Sequence, residues 1–246
     1  MNFSSTASMR GVRQYKMKST NPTPSRLYAH KVKNSQVQKR SRRLTKRFLE
    51  ALSYATKLHA KQKRKGSDEP YIGHLLGVAS LVLQHGGDEN EAIAALLHDA
   101  VEDQGGRATL RTIGRKFGKK VAAIVEACSD SFETPKPPWL ERKKEHLAKI
   151  RHASPSVRLV CAADKLHNAR TILADYREIG ERLWQRFSGG KEGTLWYYRG
   201  MAKALKRPGS GPLVKELTRV VAEIEQLAGR PAQRLRLDSQ TSSSQK

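Results

Sequence analysis

From Leu44 onward, apolar residues recur three and four positions apart, the spacing that lines one face of a helix. Leu44, Phe48, Ala51, Leu52, Ala55 and Leu58 form the first such stripe. A second helix is predicted over about His74 to His85, stopping at Gly86–Gly87. Asp88 and Glu91 make a capping-box pair, and the helix they start is predicted to run unbroken through AIAALLHDAVED. In TLRTIGRKFG, Thr109 is the predicted cap and Gly118 the break. Ser154–Pro155 opens the long helix SVRLVCAADKLHNARTILADYREIG, with proline where no amide hydrogen is needed. Two further helical patterns lie near 192–206 and 212–228. Alternating strand patterns are almost absent, and there is no internal repeat. The prediction is an all-α, multi-helix single domain over residues 43–228.

The flanks read differently. Residues 1–42 are rich in Ser, Thr, Lys and Arg and poor in apolar side chains, as in a disordered basic extension. Residues 229–246, ending SQTSSSQK, read as a disordered tail. The net charge of +24 is concentrated at the start: residues 1–49 hold thirteen Lys or Arg and no acid. The rest of the chain is still basic by +11, which suits a polyanionic ligand. Arg- and Ser-rich, acid-free composition in 1–42 also fits an organelle transit peptide or a nucleic-acid-binding arm. No apolar run approaches the roughly 18 residues of a membrane span. The two cysteines, Cys128 and Cys161, lie in apolar surroundings and read as buried thiols of an intracellular, cytoplasmic protein.

The candidate chemistry begins in AALLHDAVED, residues 94–103. His98 and Asp99 are adjacent, and Glu102 and Asp103 follow each by four residues, one helical turn. Three carboxylates in six residues repel one another, and acids are unfavourable at a helix C-terminus. A divalent cation held by imidazole and carboxylate would offset that charge. Taken alone, the stretch leaves both a solvated acidic helix end and a metal site open. CAADKLHNAR places Asp164 inside an apolar helix, costly to bury unless it is paired or ligates a metal. Asn168 shares its face, while His167 fits a hydrogen-bonded supporting residue. His74 opens a helix after the loop that carries Arg64 and Lys65, and by itself is more often a core or capping histidine.

Together these patches resemble the H…HD…D signature of HD-domain phosphohydrolases, on His74, His98–Asp99 and Asp164. RKGSDEPYIGH, ALLHDAVED, FGKKVAAIVEACSD and ADKLHNARTIL are similar to the hydrolase domain of RelA/SpoT-type enzymes. The resemblance is nearest to single-domain small alarmone hydrolases and covers about residues 46–206. It implies an HD-domain helical bundle around one Mn²⁺, held by His74, His98, Asp99 and Asp164, a ligand set that Fe²⁺, Co²⁺ or Zn²⁺ also accepts. It implies hydrolysis of the 3′-pyrophosphate of guanosine tetra- or pentaphosphate, (p)ppGpp, to GDP or GTP and pyrophosphate. By the same resemblance, Glu102 and Asp103 handle the attacking water. Arg64, Lys65, Asn168 and Tyr197 contact the nucleotide, with Tyr198 an alternative to Tyr197. Two His and two Asp leave about two of six octahedral positions open. Arg142, Lys143 and Lys144 in LERKKEH fit a solvated helix face better than a nucleotide contact. Leu75 stands where many bifunctional relatives have proline, and SDE before Pro70 alters the loop of Arg64 and Lys65. About 40 residues follow position 206, so degradation without synthesis is expected.

Two other readings share these residues. One is an HD phosphohydrolase acting on an adenosine alarmone or on the phosphate of NADPH. The other is a basic nucleic-acid-binding protein with a degenerate HD core, contacting nucleic acid through the N-terminal arm. The presence of all four ligand candidates argues against degeneracy. No membrane partner is expected.

Overall fold

The computed structural model describes residues 43–132 and 135–229. The predicted basic extension, and the predicted tail beyond Gly229, lie outside the described residues. Within them the chain forms α1 (Lys46–Leu58), α2 (Ile72–Gln84), α3 (Glu89–Leu97), α4 (Ala100–Asp103) and α5 (Gly106–Phe117). There follow α6 (Lys119–Cys128), α7 (Trp139–Arg151), α8 (Pro155–Ile179), a 3-10 helix (Gly180–Arg186), α9 (Gly190–Leu205) and α10 (Pro212–Ala228). The fold is all-α, as the periodicity predicts. None of the described helices is long and apolar enough to cross a membrane.

Two helices organise the bundle. Ala92 through Leu97 of α3 are all fully buried, and a helix apolar on every side belongs inside. α8, 25 residues long, packs against α2, α3, α6 and α10. Local signals set the helix starts. Asp88 accepts from the Glu91 amide at 3.0 Å and Glu91 accepts from the Asp88 amide at 2.7 Å, closing the capping box. The other Glu91 oxygen accepts from Ser156 Oγ at 2.6 Å, tying the start of α3 to that of α8. Ser154 caps α8, with Pro155 in its first turn.

The structure departs from the predicted elements at three places. The helix through AIAALLHDAVED is not continuous: α3 ends at Leu97, His98–Asp99 form a turn, and α4 begins at Ala100. Adjacent residues of an unbroken helix point about 100° apart; the turn lets His98 and Asp99 aim at one point. Thr109 is not the cap of α5, which starts at Gly106. Gly105 and Gly106, at φ 110° and 57°, swing the chain directly from α4 into α5. Thr109 Oγ1 instead donates to the Gln104 carbonyl at 2.6 Å. Lastly, α2 begins at Ile72, so His74 sits inside its first turn and not at its start.

Candidate metal centre

Four side chains from three places in the chain, His74, His98–Asp99 and Asp164, meet at the buried junction of α2, α3, α4 and α8. His74 Nε2 lies 3.5 Å from Asp99 Oδ2 and 3.4 Å from Asp164 Oδ1. His98 Nε2 lies 3.0 Å and 3.5 Å from the same two oxygens. His74 is fully buried, His98 is 3% exposed and Asp164 6%. Both Nε2 atoms are buried without a hydrogen-bond partner. Buried polar atoms are rarely orphaned, and a cation between two imidazoles and two carboxylates satisfies all four at once. The donor set therefore fits a divalent metal. The pocket favours positive charge: although burial opposes it, Asp99 and Asp164 hold His98 well above the usual imidazole range, and a bound cation would take the place of that proton. Burial likewise opposes charge on the two carboxylates, yet their neighbours hold both well below the ordinary aspartate value.

The opposite ring nitrogens fix the imidazoles. His98 Nδ1 donates to the Ala95 carbonyl at 2.8 Å, leaving the Nε2 lone pair for a ligand. His74 Nδ1 faces His167 Nδ1 at 3.1 Å. Burial, then His74 and Arg64, push His167 down to about 4, so it stays neutral and accepts the His74 proton. His167 is thus the supporting residue expected for it. Its space comes from Gly77, one turn after His74: a Cβ there would lie 2.2 Å from His167 Nε2. Gly77→Ala is accordingly expected to displace His167 and weaken metal binding about 10- to 100-fold. A Mn²⁺ titration checks this, and unchanged affinity would remove His167 from the orienting role.

Several partners of the centre were not singled out by sequence. Tyr71 Oη donates to Asp99 Oδ2 at 2.6 Å, and its ring stacks on His59 with centroids 5.3 Å apart. Lys165 Nζ donates to Asp164 Oδ2 at 2.6 Å. Each lies beside a recognised residue, in EPYIGH and ADKLHN, but neither has a pattern of its own. Gln62 Nε2 donates to Asp103 Oδ2 at 2.8 Å. Glu102 accepts from Lys136 Nζ at 3.0 Å. Burial, then Asp130 and Asp99, push Glu102 above its ordinary value; burial and Asp99 do the same to Asp103. Asp130 accepts from Arg142 Nη1 at 2.7 Å and from Lys143 Nζ at 2.5 Å. These two basic residues therefore anchor a buried acid and are not a solvated face.

A cleft of about 310 Å³ opens beside the centre, lined by Arg64, Lys65, Asn168, Arg186 and Tyr198. Asn168 links it to the metal ligands: Oδ1 accepts from Arg64 Nη2 at 2.7 Å and Nδ2 donates to Asp164 Oδ1 at 2.5 Å. The loop of Arg64 and Lys65 turns at Gly66, where φ is 79° and the Arg186 side chain lies across the backbone. Arg186 comes from 120 residues further on, and sequence spacing gives no hint of it. Tyr198 lines this cleft, whereas Tyr197 does not. The Tyr197 ring lies under Lys143 and Lys165, 4.9 and 5.7 Å from its centroid, and edge-on to Trp139.

Residues 51–194 match the HD domain family model. The chain is 41% identical over 128 residues to the guanosine-3′,5′-bis(diphosphate) 3′-pyrophosphohydrolase MESH1 of Xenopus tropicalis, covering 51% of this chain and 69% of that one. Homo sapiens MESH1 is 39% identical over 128 residues, with the same coverage. A solved structure described as a metazoan ortholog of SpoT that hydrolyzes ppGpp superposes at TM-score 0.60 and 25% identity, covering 77% of this chain and 99% of that one. The crystal structure of lmo0812 from Listeria monocytogenes EGD-e gives TM-score 0.56 at 29% identity, over 62% of this chain and 99% of that one.

Proposed function

This chain belongs to the HD domain family, and from that premise we propose that it hydrolyses the 3′-pyrophosphate of ppGpp and pppGpp. The products are GDP or GTP and pyrophosphate. One observation carries the reading: two orphaned imidazole nitrogens and two carboxylates converge in the core beside a cleft with basic residues. The relatives named for this hydrolysis share the fold and much of the sequence.

His74, His98, Asp99 and Asp164 would hold the metal, which we take to be Mn²⁺ because imidazole and carboxylate together suit it. When bound, such an ion offsets negative charge on the phosphoryl group and makes water a better nucleophile. The remaining work falls to the chain. Glu102, one turn from Asp99, accepts a proton from the attacking water, and its raised pKa brings it nearer the working pH. Asp103, oriented by Gln62, holds that water in line. Arg64 and Lys65 meet the phosphates at the cleft. Asn168 keeps Arg64 in register with Asp164. Tyr198, not Tyr197, offers the aromatic face at the cleft.

Two experiments bear on this reading. A panel of ppGpp, pppGpp, NADPH and adenosine alarmones with Mn²⁺ should release pyrophosphate from the guanosine compounds. No pyrophosphate from ppGpp under those conditions removes the assignment. The pH profile tests the base. Glu102 must be ionised to accept a proton, so kcat should fall as pH drops through its pKa, and Glu102→Gln should abolish that acidic limb. An acidic limb that persists unchanged in Glu102→Gln would exclude Glu102 as the base.

A further inference from the structure

The two cysteines, 33 residues apart in sequence, meet in the fold. Cys128 Sγ and Cys161 Sγ lie 3.3 Å apart, within S–H···S hydrogen-bonding range. Cys161 is buried and Cys128 is half-buried, so solvent reaches the pair from the Cys128 side. His146 is buried beside Cys161, close enough to favour its thiolate.

The two thiols are also close in sequence to the machinery of the site. Cys161 stands one turn before Asp164 on α8. Cys128 is the last residue of α6, two before Asp130. Asp130 is held by Arg142 and Lys143 and is one of the charges that raise Glu102. We propose that Cys128 and Cys161 form a dithiol that a hydroperoxide oxidises to a disulfide, and that this disulfide slows turnover at the neighbouring site. The second half rests on the hydrolase reading above.

The chemistry balances with hydrogen peroxide as the oxidant. The Cys161 thiolate attacks one peroxide oxygen, the O–O bond breaks, and the leaving hydroxide takes a proton to become water. The Cys128 sulfur then attacks the Cys161 sulfenic acid. The S–S bond forms, the S–O bond breaks, and the hydroxyl leaves as a second water with the Cys128 proton. In sum, two thiols and one peroxide give one disulfide and two waters. A thiolate is available: the hydrogen bond with Cys128, aided by His146 and opposed by burial, brings Cys161 down to about 6.

The strain falls on one side. Bonding requires the sulfurs to close from 3.3 Å to roughly 2.05 Å. Cys161 is fixed within α8, about two turns from its start, and α8 packs against five other α-helices and the 3-10 helix. Cys128 sits at a helix end, so α6 and the Ser129–Asp130 segment take up the movement. That shifts the carboxylate next to Glu102 while leaving Asp164 in place. Oxidation should therefore lower kcat, on the order of tenfold or more, and leave Mn²⁺ affinity within about twofold.

The test treats the full-length protein with stoichiometric hydrogen peroxide. A Cys128–Cys161 linked peptide in an unreduced digest, with loss of two hydrogens from the intact mass, is the expected product. ppGpp turnover should fall and return on reduction, and Cys128→Ser or Cys161→Ala should keep its rate under the same treatment. Sulfinic acid on separate cysteines, or no oxidation, overturns the dithiol. A disulfide with unchanged turnover overturns its control of the site. A loss of Mn²⁺ affinity at constant kcat overturns the route through α6. The linked peptide is read by mass whatever nucleotide the reduced protein hydrolyses, so a wrong substrate assignment shows separately, as an inactive reduced protein.

Discussion

Replacing Asp99 with alanine should deprive the protein of both its metal and its turnover. Asp99 Oδ2 faces both buried imidazoles, 3.0 Å from His98 Nε2 and 3.5 Å from His74 Nε2. Without it, two imidazoles and Asp164 remain, too little negative charge to compensate for desolvating a divalent ion. The loss of metal affinity should exceed the roughly 10- to 100-fold that removing an outer hydrogen bond costs. Pyrophosphate release should fall to background. The fold itself should survive, because the main structural debt is the Tyr71 hydroxyl left without its acceptor, about 1–3 kcal/mol. Metal content and a thermal melt on the same variant check both halves. A variant that keeps one equivalent of metal would show that Asp99 is not a ligand.

Glu102→Ala should separate metal from chemistry. Glu102 pairs with Lys136, which is 40% exposed and readily resolvated, and hydrogen-bonds with Asp130, neither of them a proposed metal ligand. Metal affinity should thus stay near wild type. Turnover should drop by about 10² to 10⁴, the range for losing a positioned general base. Hydrolysis of ppGpp at the wild-type rate would mean that Glu102 has no part in handling water.

What could be read from the chain follows what is local. The capping box at Asp88–Glu91 and the Ser154–Pro155 start were legible because caps act within three residues. The ligand candidates were legible as an ordered set, and the core brings His74, His98, Asp99 and Asp164 to one junction. The turn at His98–Asp99 was not legible. Its apolar periodicity runs straight through, and what interrupts the helix is convergence with α2 and α8, which only the packed core expresses. Which of Tyr197 and Tyr198 lines the cleft was not legible, for a related reason. Neighbours on a helix face different sides, and the rotation of α9 about its axis decides which one meets the cleft. Lys165 and Tyr71 stood in quoted motifs but act through Asp164 and Asp99, so their roles appear only with distances. Arg142 and Lys143 looked like solvated charge until Asp130, a buried acid twelve and thirteen residues earlier, gave them a partner.

The account turns on a metal ion at the junction of His74, His98, Asp99 and Asp164 serving ppGpp hydrolysis. Metal analysis and a ppGpp assay on one purified sample address it together. The account requires one divalent ion per chain, loss of pyrophosphate release on chelation, and recovery with one equivalent of Mn²⁺. Full hydrolysis by metal-free protein, or a fully metallated protein that leaves ppGpp intact, would contradict it.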